Sequence, residues 1–448
     1  MTETQVAEVG ATETEVPDKL KFDVIVVGAG PAGLAAGTVC ARAGLDTIII
    51  ERGRKPGTKN VMGGVLYTRP TAEVWPEFWK DAPLERCVIE QNAWIMTEDS
   101  AIKLGYRSAK FAEDVPNAFT VLRVKVDQYF AQQAEAAGAL IISETKVDEV
   151  LREDGRVVGV RTGRPQGEVY APVVILAEGV NPILARELGM HEDLDPSSAA
   201  LTVKELLRLD PEVIEERFGL DEGEGATIEM YGAPTMGMLG TAFIYTNESS
   251  LSLAVGVLLS EFAEVPDTPH DLLQQLKQHP AVAPLVEGAE PAEYMAHLIP
   301  EGGYDKMPAL FGHGVMIVGD AAQLVNGIHR EGSNHAILSG KAAAETAIEA
   351  HHKGDFSERT LGHYRQRLEE ATPTIADLRK YRKATKFMER HPILKVYPPL
   401  AAYAFEEMLT VDDRTKRQKQ WEIIKEALRR RKPWAMAWDA IEGGLSFI

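Results

Sequence analysis

A glycine-rich turn follows the first apolar segment of the chain, at a spacing suited to phosphate binding. Residues 22–27 are a β-branched run typical of a strand that is buried on both faces. The turn after it contains the first candidate cofactor residues, Gly28, Gly30, Pro31, Ala32 and Gly33. In such a turn the first glycine allows the tight bend, the second lets the backbone approach a pyrophosphate, and the third lets helix and strand pack closely. The spacing therefore predicts a dinucleotide site at the N-terminus of a helix.

A carboxylate, Glu51, ends the second strand about twenty residues beyond this turn, where ribose hydroxyls are usually bound. Residues 32–43 between them are predicted to form a helix. An acidic side chain at this place accepts hydrogen bonds from the ribose and repels a 2′-phosphate. The order of strand, helix, strand and terminal acid favours a nucleotide site over a chance cluster of loop glycines. Arg52, the next residue, is a further candidate for cofactor contact.

Three later groups of residues are further candidates for cofactor contact. They are Arg123, the pair Glu178 and Gly179, and the pair Gly319 and Asp320. Taken singly, Asp320 fits a helix cap and Arg123 fits a surface ion pair equally well. Their order along the chain resembles the motifs of the flavoprotein hydroxylase and geranylgeranyl reductase superfamily, in which the aspartate contacts the ribityl chain. The resemblance implies FAD as the cofactor.

A late helix, expected at about residues 334–351, begins with the candidate residues Gly332, Ser333 and Asn334. In the resembled fold this helix start lies beside the flavin pyrimidine ring. Its positive end and free backbone N–H groups would stabilise negative charge on the reduced flavin. The alternative is an ordinary N-cap by Ser333 or Asn334 without cofactor contact.

The segment 57–67 resembles the FixC/EtfC family, relatives of electron transfer flavoprotein–quinone oxidoreductase. Its candidate cofactor residues are Lys59, Asn60, Gly63 and Gly64. Residues 319–322 and 329–334 match the same family, and the similarity extends from about residue 20 to about 400. In this family the glycine pair lies close to the isoalloxazine ring, which excludes side chains there.

The resemblance implies electron transfer. The family accepts electrons from an electron transfer flavoprotein (ETF) alpha/beta heterodimer and reduces a quinone, menaquinone or ubiquinone, in some members within an electron-bifurcating complex. Cys40 and Cys87 are the two cysteines of the chain and cannot supply a four-cysteine iron–sulfur site. A small ferredoxin-like FixX/EtfX subunit is therefore expected as a partner. The alternatives are a geranylgeranyl reductase-like enzyme, an aromatic hydroxylase and a non-catalytic flavin-holding assembly subunit.

Two regions are candidates for quinone and membrane contact. A glycine-rich loop contains the candidate quinone residues Met236, Met238, Leu239 and Phe243, which could instead pack in a core. Residues 414–432 are strongly basic, and an apolar helix face there is followed by two tryptophans, as in helices that bind anionic lipid or an acidic partner. No run approaches the roughly 20 apolar residues of a membrane span. The sequence predicts a cytoplasmic protein, peripheral on the inner face of the cell membrane. The net charge of −19 argues against nucleic acid as a partner.

The elements predict an α/β fold (α+β overall). A Rossmann-type FAD-binding domain is expected to contain an inserted antiparallel-sheet quinone (substrate) domain and to be followed by a helical C-terminal region. The predicted boundaries are 1–20 for a disordered acidic tail, 21–75, 101–190 and 310–372 for the FAD-binding domain, 76–100 and 191–309 for the quinone domain, and 373–448 for the helical region. Within the last region, interruptions are expected around Pro392, Pro398 and Pro399.

Overall fold

The computed structural model describes residues 20–58, 64–329, 331–370 and 372–447. Lys59, Asn60 and Gly63, and residues 1–19 of the predicted tail, lie outside these ranges. The strands are β1 Leu20–Lys21, β2 Val24–Val27, β3 Thr47–Ile50, β4 Gly64–Tyr67, β5 Cys87–Met96, β6 Ala101–Arg107, β7 Ala118–Val121, β8 Leu140–Ile142, β9 Val147–Glu153, β10 Arg156–Thr162, β11 Glu168–Tyr170, β12 Val173–Leu176, β13 Ala199–Arg208, β14 Glu224–Gly232, β15 Gly240–Thr246, β16 Ser250–Leu258, β17 Glu290–Pro300, β18 Phe311–Gly312 and β19 Val315–Ile317.

The first core surrounds a six-stranded sheet in the order β18-β19-β12-β2-β3-β8, parallel except for β18. Its central strands have the sequences VIVV, TIII and VVIL, and every one of these residues is buried. β-Branched side chains favour such a strand because they pack well on a sheet covered on both faces. The carboxyl ends of β2, β3 and β12 meet at one edge, where ligands of open parallel sheets bind.

A nine-stranded sheet forms the second body, in the order β17-β13-β16-β15-β14-β5-β7-β4 with β6 paired to β5. Its pairs are antiparallel except β14 with β5. Strands β13 to β17 lie in the chain between β12 and β19 of the parallel sheet, which confirms the predicted insertion. A small four-stranded sheet, β1-β11-β10-β9, contains the predicted hairpin at Asp154 and Gly155.

The strand pairing differs from the predicted division of the chain at two places. Strand β4 lies in the predicted FAD-binding segment 21–75, and β6 and β7 lie in 101–190, yet all three belong to the nine-stranded sheet. β6 forms a hairpin with β5, whereas about fifty residues separate β4 from its partner β7, so composition alone does not show which sheet β4 and β7 join. The segments that cross between the two bodies therefore bring residues such as Gly64 to their junction.

The helices of the described residues pack on both bodies and form the C-terminal region, with α5 and α7 contributing to the core of the second body. They are α1 Pro31–Arg42, α2 Thr68–Ala72, α3 Arg123–Ala136, α4 Ile183–Glu187, α5 Pro211–Phe218, α6 Leu259–Phe262, α7 Pro269–Gln278, α8 Ala283–Val286, α9 Ser333–Lys353, α10 Glu358–Leu361, α11 His363–Glu370, α12 Thr374–Arg390, α13 Ile393–Leu409, α14 Lys416–Arg430 and α15 Pro433–Phe447. None of them has both the length and the apolar character needed to cross a bilayer.

The prolines of the C-terminal region act differently from the prediction. Pro392 precedes α13, as expected, but Pro398 and Pro399 lie inside this helix and do not interrupt it. Pro398 is buried, and its Cβ lies 3.1 Å from the position that a Cβ on Gly232 would take. Packing on β14 thus outweighs the backbone hydrogen bonds that a helical proline removes.

Candidate functional site

A cavity of about 650 Å³ lies where the two large sheets meet. Its lining includes the turn after β2, the end of β3, the start of α9 and one face of the nine-stranded sheet. Residues Met388 of α12 and Leu394 of α13 close another side. The volume is in the range of about 300–1,000 Å³ that is usual for ligand sites. The cavity therefore joins the predicted cofactor and substrate regions in one space.

The glycine turn has the shape that a bound pyrophosphate requires. Gly28 has a φ of +106°, and a Cβ there would lie 2.3 Å from the Ala177 carbonyl oxygen. A Cβ on Gly33 would lie 1.9 Å from the Gly28 carbonyl oxygen. At Gly30, by contrast, a Cβ would meet no described atom within 4 Å, and this residue lines the cavity immediately before α1. The turn is closed on its protein side and open on its cavity side, which fits a phosphate group.

Glu51, immediately after β3, stabilises this turn through hydrogen bonds to its backbone. Its carboxylate accepts a hydrogen bond of 2.9 Å from the Ala29 backbone N–H and another from the Gly53 N–H. Glu51 and Arg52 both line the cavity. These contacts hold the carboxylate at the end of β3, the place at which such folds bind a ribose.

A group of buried charges lines the same cavity. Arg123, the first residue of α3, donates two hydrogen bonds, of 2.8 and 2.7 Å, to the Asp127 carboxylate. Asp320 follows β19 and lines the cavity with Arg123 and Lys204. Burial raises the pKa of Asp320, and the charges of Arg123 and Lys204 oppose that shift. Burial, followed by repulsion from Arg123, lowers the pKa of Lys204 to about 8.

Glu178 and Gly179, which the sequence predicted together as cofactor residues, differ in what they contact. Both residues line the cavity. The Glu178 carboxylate, however, accepts hydrogen bonds from the backbone N–H groups of Leu184 (2.8 Å) and Ala185 (3.0 Å), at the start of α4. Burial raises the pKa of Glu178, and these two N–H groups oppose the shift. Glu178 thus anchors α4, whereas Gly179 leaves open space at the cavity wall.

The start of α9 presents its backbone to the cavity. Gly332 precedes the helix, no side chain caps it, and Gly332 and Ser333 line the cavity. The alternative to cofactor contact, a side-chain cap by Ser333 or Asn334, is not seen among the described residues. Asn334 is buried, and its Oδ1 has no hydrogen-bond partner among the described residues. A helix of 21 residues with uncapped N–H groups at a cavity is suited to hold negative charge.

The remaining candidates separate into three groups. Gly64 lines the cavity, and a Cβ there would meet no described atom within 4 Å. Leu239 and Phe243 also line it, and the Phe243 ring stacks on Tyr245 with centroids 4.3 Å apart. Met238 instead packs in the core of the second body, and Met236 is exposed and does not line the cavity. The two methionines are therefore not part of this wall.

A group of polar cavity residues on β13, on β17 and just after β17 was missed in the predictions from sequence. Thr202 and Lys204 lie two residues apart on β13. His297 of the neighbouring strand β17 pairs with Thr202, and Glu301 follows the last residue of β17. Side chains two residues apart share one face of a strand, so this group forms one polar stripe on the cavity wall. Its one sequence signal is Lys204 itself, a charged residue within the otherwise mostly apolar run of β13. No group of metal-ligating side chains exists among the residues that the structure describes.

Two family models and several curated proteins match the chain. Residues 23–180 match a family model described as FAD dependent oxidoreductase, and residues 384–448 match the ETF-QO/FixC family C-terminal domain. The chain is 43% identical to protein FixC of Bradyrhizobium diazoefficiens over 424 residues, covering 94% of this chain and 97% of that one. It is 44% identical to protein FixC of Azotobacter vinelandii, covering 94% and 98%.

Solved structures share the fold at low sequence identity. A geranylgeranyl bacteriochlorophyll reductase-like protein from Thermoplasma acidophilum superposes with a TM-score of 0.70 at 20% identity, covering 93% of this chain and 98% of that one. The myxobacterial chondrochloren halogenase, an FAD-dependent halogenase, superposes with a TM-score of 0.62 at 17% identity, covering 92% of this chain and 91% of that one. These likenesses concern the fold alone.

Proposed function

Because the chain belongs to the ETF-QO/FixC family and is an FAD-dependent oxidoreductase, we propose that it accepts electrons from an ETF heterodimer and reduces a membrane quinone. One observation carries the proposal. The cavity that contains the nucleotide-binding turn continues without a break to an apolar wall formed by Leu239, Phe243 and Leu258 of the inserted sheet. A cofactor and an apolar ring substrate could therefore meet in one water-excluding space.

The residues around the cavity fit FAD along its whole length. Gly28 to Gly33 would hold the pyrophosphate, Glu51 the ribose, and Asp320 the ribityl chain, with Gly64 and the start of α9 beside the ring system. Bound FAD supplies the redox chemistry, because it exchanges electrons both singly and in pairs. The protein contributes the positions of these groups and their charge.

Arg123 and Lys204 are cations of the cavity wall, and each has a carboxylate close by. Arg123 is paired with Asp127, and Arg123 and Lys204 both lie near Asp320. The N-terminus of α9 adds a partial positive charge. This helix end would favour negative charge on a reduced flavin, which suits the acceptance of electrons from a donor flavin.

The two cysteines of the chain do not supply the ligands of an iron–sulfur cluster. Cys40 is fully buried in helix α1, and burial raises its pKa to about 12; Cys87 is partly buried and is the first residue of strand β5. We therefore assign the cluster to a small ferredoxin-like FixX/EtfX subunit. Within a flavin-based electron-bifurcating complex, the present chain would form the branch that delivers electrons to menaquinone or ubiquinone.

An apolar face of α15 supports peripheral contact with the cytoplasmic side of a membrane. Trp434, Trp438, Ile441 and Leu445 are all more than half exposed, and their spacing places them along one side of the helix. On the neighbouring α14, Lys425 and Arg429 pair with glutamates of the same helix. The basic charge that the sequence indicated is thus partly neutralised, and the apolar face becomes the main contact with lipid. Tryptophan is favoured at the membrane interface.

Replacing both tryptophans tests this contact. We expect Trp434→Ser/Trp438→Ser to weaken binding to anionic phospholipid vesicles by about 1,000-fold, since burial of each of the two large apolar side chains contributes about 2 kcal/mol. The measurement is vesicle co-sedimentation with FAD content as a check. The control Leu104→Ser/Tyr106→Ser changes two exposed residues of β6 and should bind as the wild type does. Equal binding by all three proteins would contradict the membrane assignment.

A single anaerobic assay separates the proposed function from its alternatives. Reduced ETF, the protein and a short-chain quinone are combined, and quinol formation is followed. We expect turnover that requires both ETF and this protein. Oxygen uptake driven directly by NAD(P)H would instead indicate a hydroxylase, and a saturated isoprenoid product, detected by mass spectrometry, would indicate a geranylgeranyl reductase.

A further inference from the structure

Glu301 lies between the main cavity and a second, outer cavity. It follows β17, and its backbone N–H donates to the Ser198 carbonyl at 2.8 Å, which fixes the position of the chain. Its side chain lines the main cavity and also a separate cavity of about 140 Å³. The carboxylate lies against Gly327, where a Cβ would approach Oε2 to 2.3 Å. Two carboxyl groups border both spaces, Glu301 and Glu389 of α12, and Glu301 is the more deeply buried of them.

The outer cavity is lined by groups that hold water and exchange protons. The turn at 303–306 contributes Tyr304, Asp305 and Lys306. Helix α12 contributes Tyr381, Arg382, Lys386 and Glu389. His329 and Glu331 lie on the loop before α9, where the His329 ring packs against Tyr381.

These outer charges largely neutralise one another. Asp305 pairs with Lys386, Lys306 pairs with Asp195 at 3.1 Å, and Glu331 lies 3.4 Å from the buried His335. Burial remains the cause that acts on Glu301, and it raises the pKa of this carboxyl to about 7. A carboxyl group with such a pKa both binds and releases protons near neutral pH.

The inner side lacks a comparable donor among the described polar groups of β13 and β17. Burial, followed by the charges of Lys204 and Arg123, lowers the pKa of His297 to about 4, so this imidazole is neutral near pH 7. Lys204 has a pKa of about 8, and its charge is needed beside Asp320. Glu301 is the group on this stripe that also borders the outer cavity.

We propose that Glu301 carries protons from the outer cavity into the main cavity, where quinone reduction consumes them. The inference rests on the proposed function. Each quinone takes up two electrons, delivered from ETF, and two protons, and becomes a quinol. For each proton, the O–H bond of the Glu301 carboxyl breaks toward the main cavity, and the carboxylate then takes a proton from the water of the outer cavity.

Glu301→Gln tests the proposal, because an amide keeps the shape but cannot exchange a proton in this way. We expect wild-type turnover with quinone to fall as the pH rises through about 7. The variant should be slower by about 100-fold at pH 6, a usual contribution of general acid catalysis, and independent of pH. Its KM for quinone should not change, and a small weak acid such as acetic acid should restore turnover.

Glu293→Gln is the matched control, since Glu293 is an exposed glutamate on the same strand. It should behave as the wild type does at every pH. Wild-type rates and pH dependence in Glu301→Gln would overturn the proposal. So would a loss that raises KM and is not restored by weak acid, which would indicate a structural role.

The thermal stability of the FAD-free protein separates this inference from the proposed function. Because the folded pKa of Glu301 lies above that of an unfolded glutamate, the folded state loses stability as the pH rises toward and through about 7. We expect Glu301→Gln to melt at a higher temperature than the wild type at pH 8 and at nearly the same temperature at pH 5. If this difference is seen but the wild type reduces no quinone with any donor, the proposed function fails while the titration of Glu301 stands. If the difference is absent, proton exchange by Glu301 is contradicted directly.

Discussion

The Gly30→Val variant is expected to fold and to purify without FAD. Gly30 has extended backbone angles, φ −83° and ψ −177°, which valine adopts readily, and a Cβ there meets no described atom within 4 Å. The new side chain would instead occupy the space of the pyrophosphate. Loss of two hydrogen bonds to charged phosphate, at about 1.5–3 kcal/mol each, predicts a dissociation constant for FAD raised at least about 100-fold.

The measurement is FAD content after purification, followed by titration of the FAD-free protein with FAD. Gly444→Val is the control, because a Cβ on this glycine of α15 also meets no described atom within 4 Å. It should retain one FAD per chain. A Gly30→Val protein that binds FAD as the wild type does would place the cofactor elsewhere. If the variant still assembles with its partners but does not reduce quinone, a purely structural subunit is excluded.

The Arg123→Met variant is expected to lose about 3–5 kcal/mol of unfolding free energy, the usual effect of removing one partner of a buried ion pair. Asp127 is nearly inaccessible to solvent, and both of its oxygens accept hydrogen bonds from Arg123. The substitution therefore leaves a buried carboxylate without its partner. Urea unfolding of the FAD-free protein, followed by circular dichroism, measures the loss.

Two further variants make this result specific. Arg161→Met removes the exposed pairs of Arg161 with Glu149 and Glu168 and should cost much less stability than Arg123→Met, because solvent screens surface ion pairs. Arg123→Met/Asp127→Leu removes both buried partners and should recover most of the lost stability. Equal losses in Arg123→Met and Arg161→Met would show that the pair of α3 contributes no more than a surface contact.

Local patterns were sufficient to predict the nucleotide-binding part of the fold. The buried strands β2, β3 and β12 are short β-branched runs, and the glycine turn lies next to the first of them in the sequence. Each of these features depends on neighbouring residues, so the sequence reports it directly. Glu51 was predicted for the same reason, although its contacts with Ala29 and Gly53 within the protein were not.

The polar stripe of the cavity could not be predicted in this way. Thr202 and His297 face each other across β13 and β17, but about a hundred residues of β-strand, loop and helix separate them in the chain. Only the pairing register of the folded sheet brings Lys204, His297 and Glu301 to one wall. Glu301 borders the outer cavity because α12, still later in the sequence, packs there.

Two individual residues show how packing changes an expected role. Glu178 was predicted to contact the cofactor, and in the structure it holds the start of α4 through two backbone N–H groups. Met238 was predicted to line a quinone site, and it is buried in the core of the second body. Glu178 also lines the cavity, so its contact with the cofactor stays a prediction, whereas Met238 does not line it.

Sequential anaerobic mixing is the most direct test of the proposed electron path. Reduced ETF is first mixed with the oxidised protein, and a quinone is added after the flavin of this chain has been reduced. We predict loss of its flavin absorbance in the first step and recovery in the second, with quinol formed in equal amount. A flavin that stays oxidised with ETF, or that is reoxidised by oxygen but not by quinone, would contradict the account.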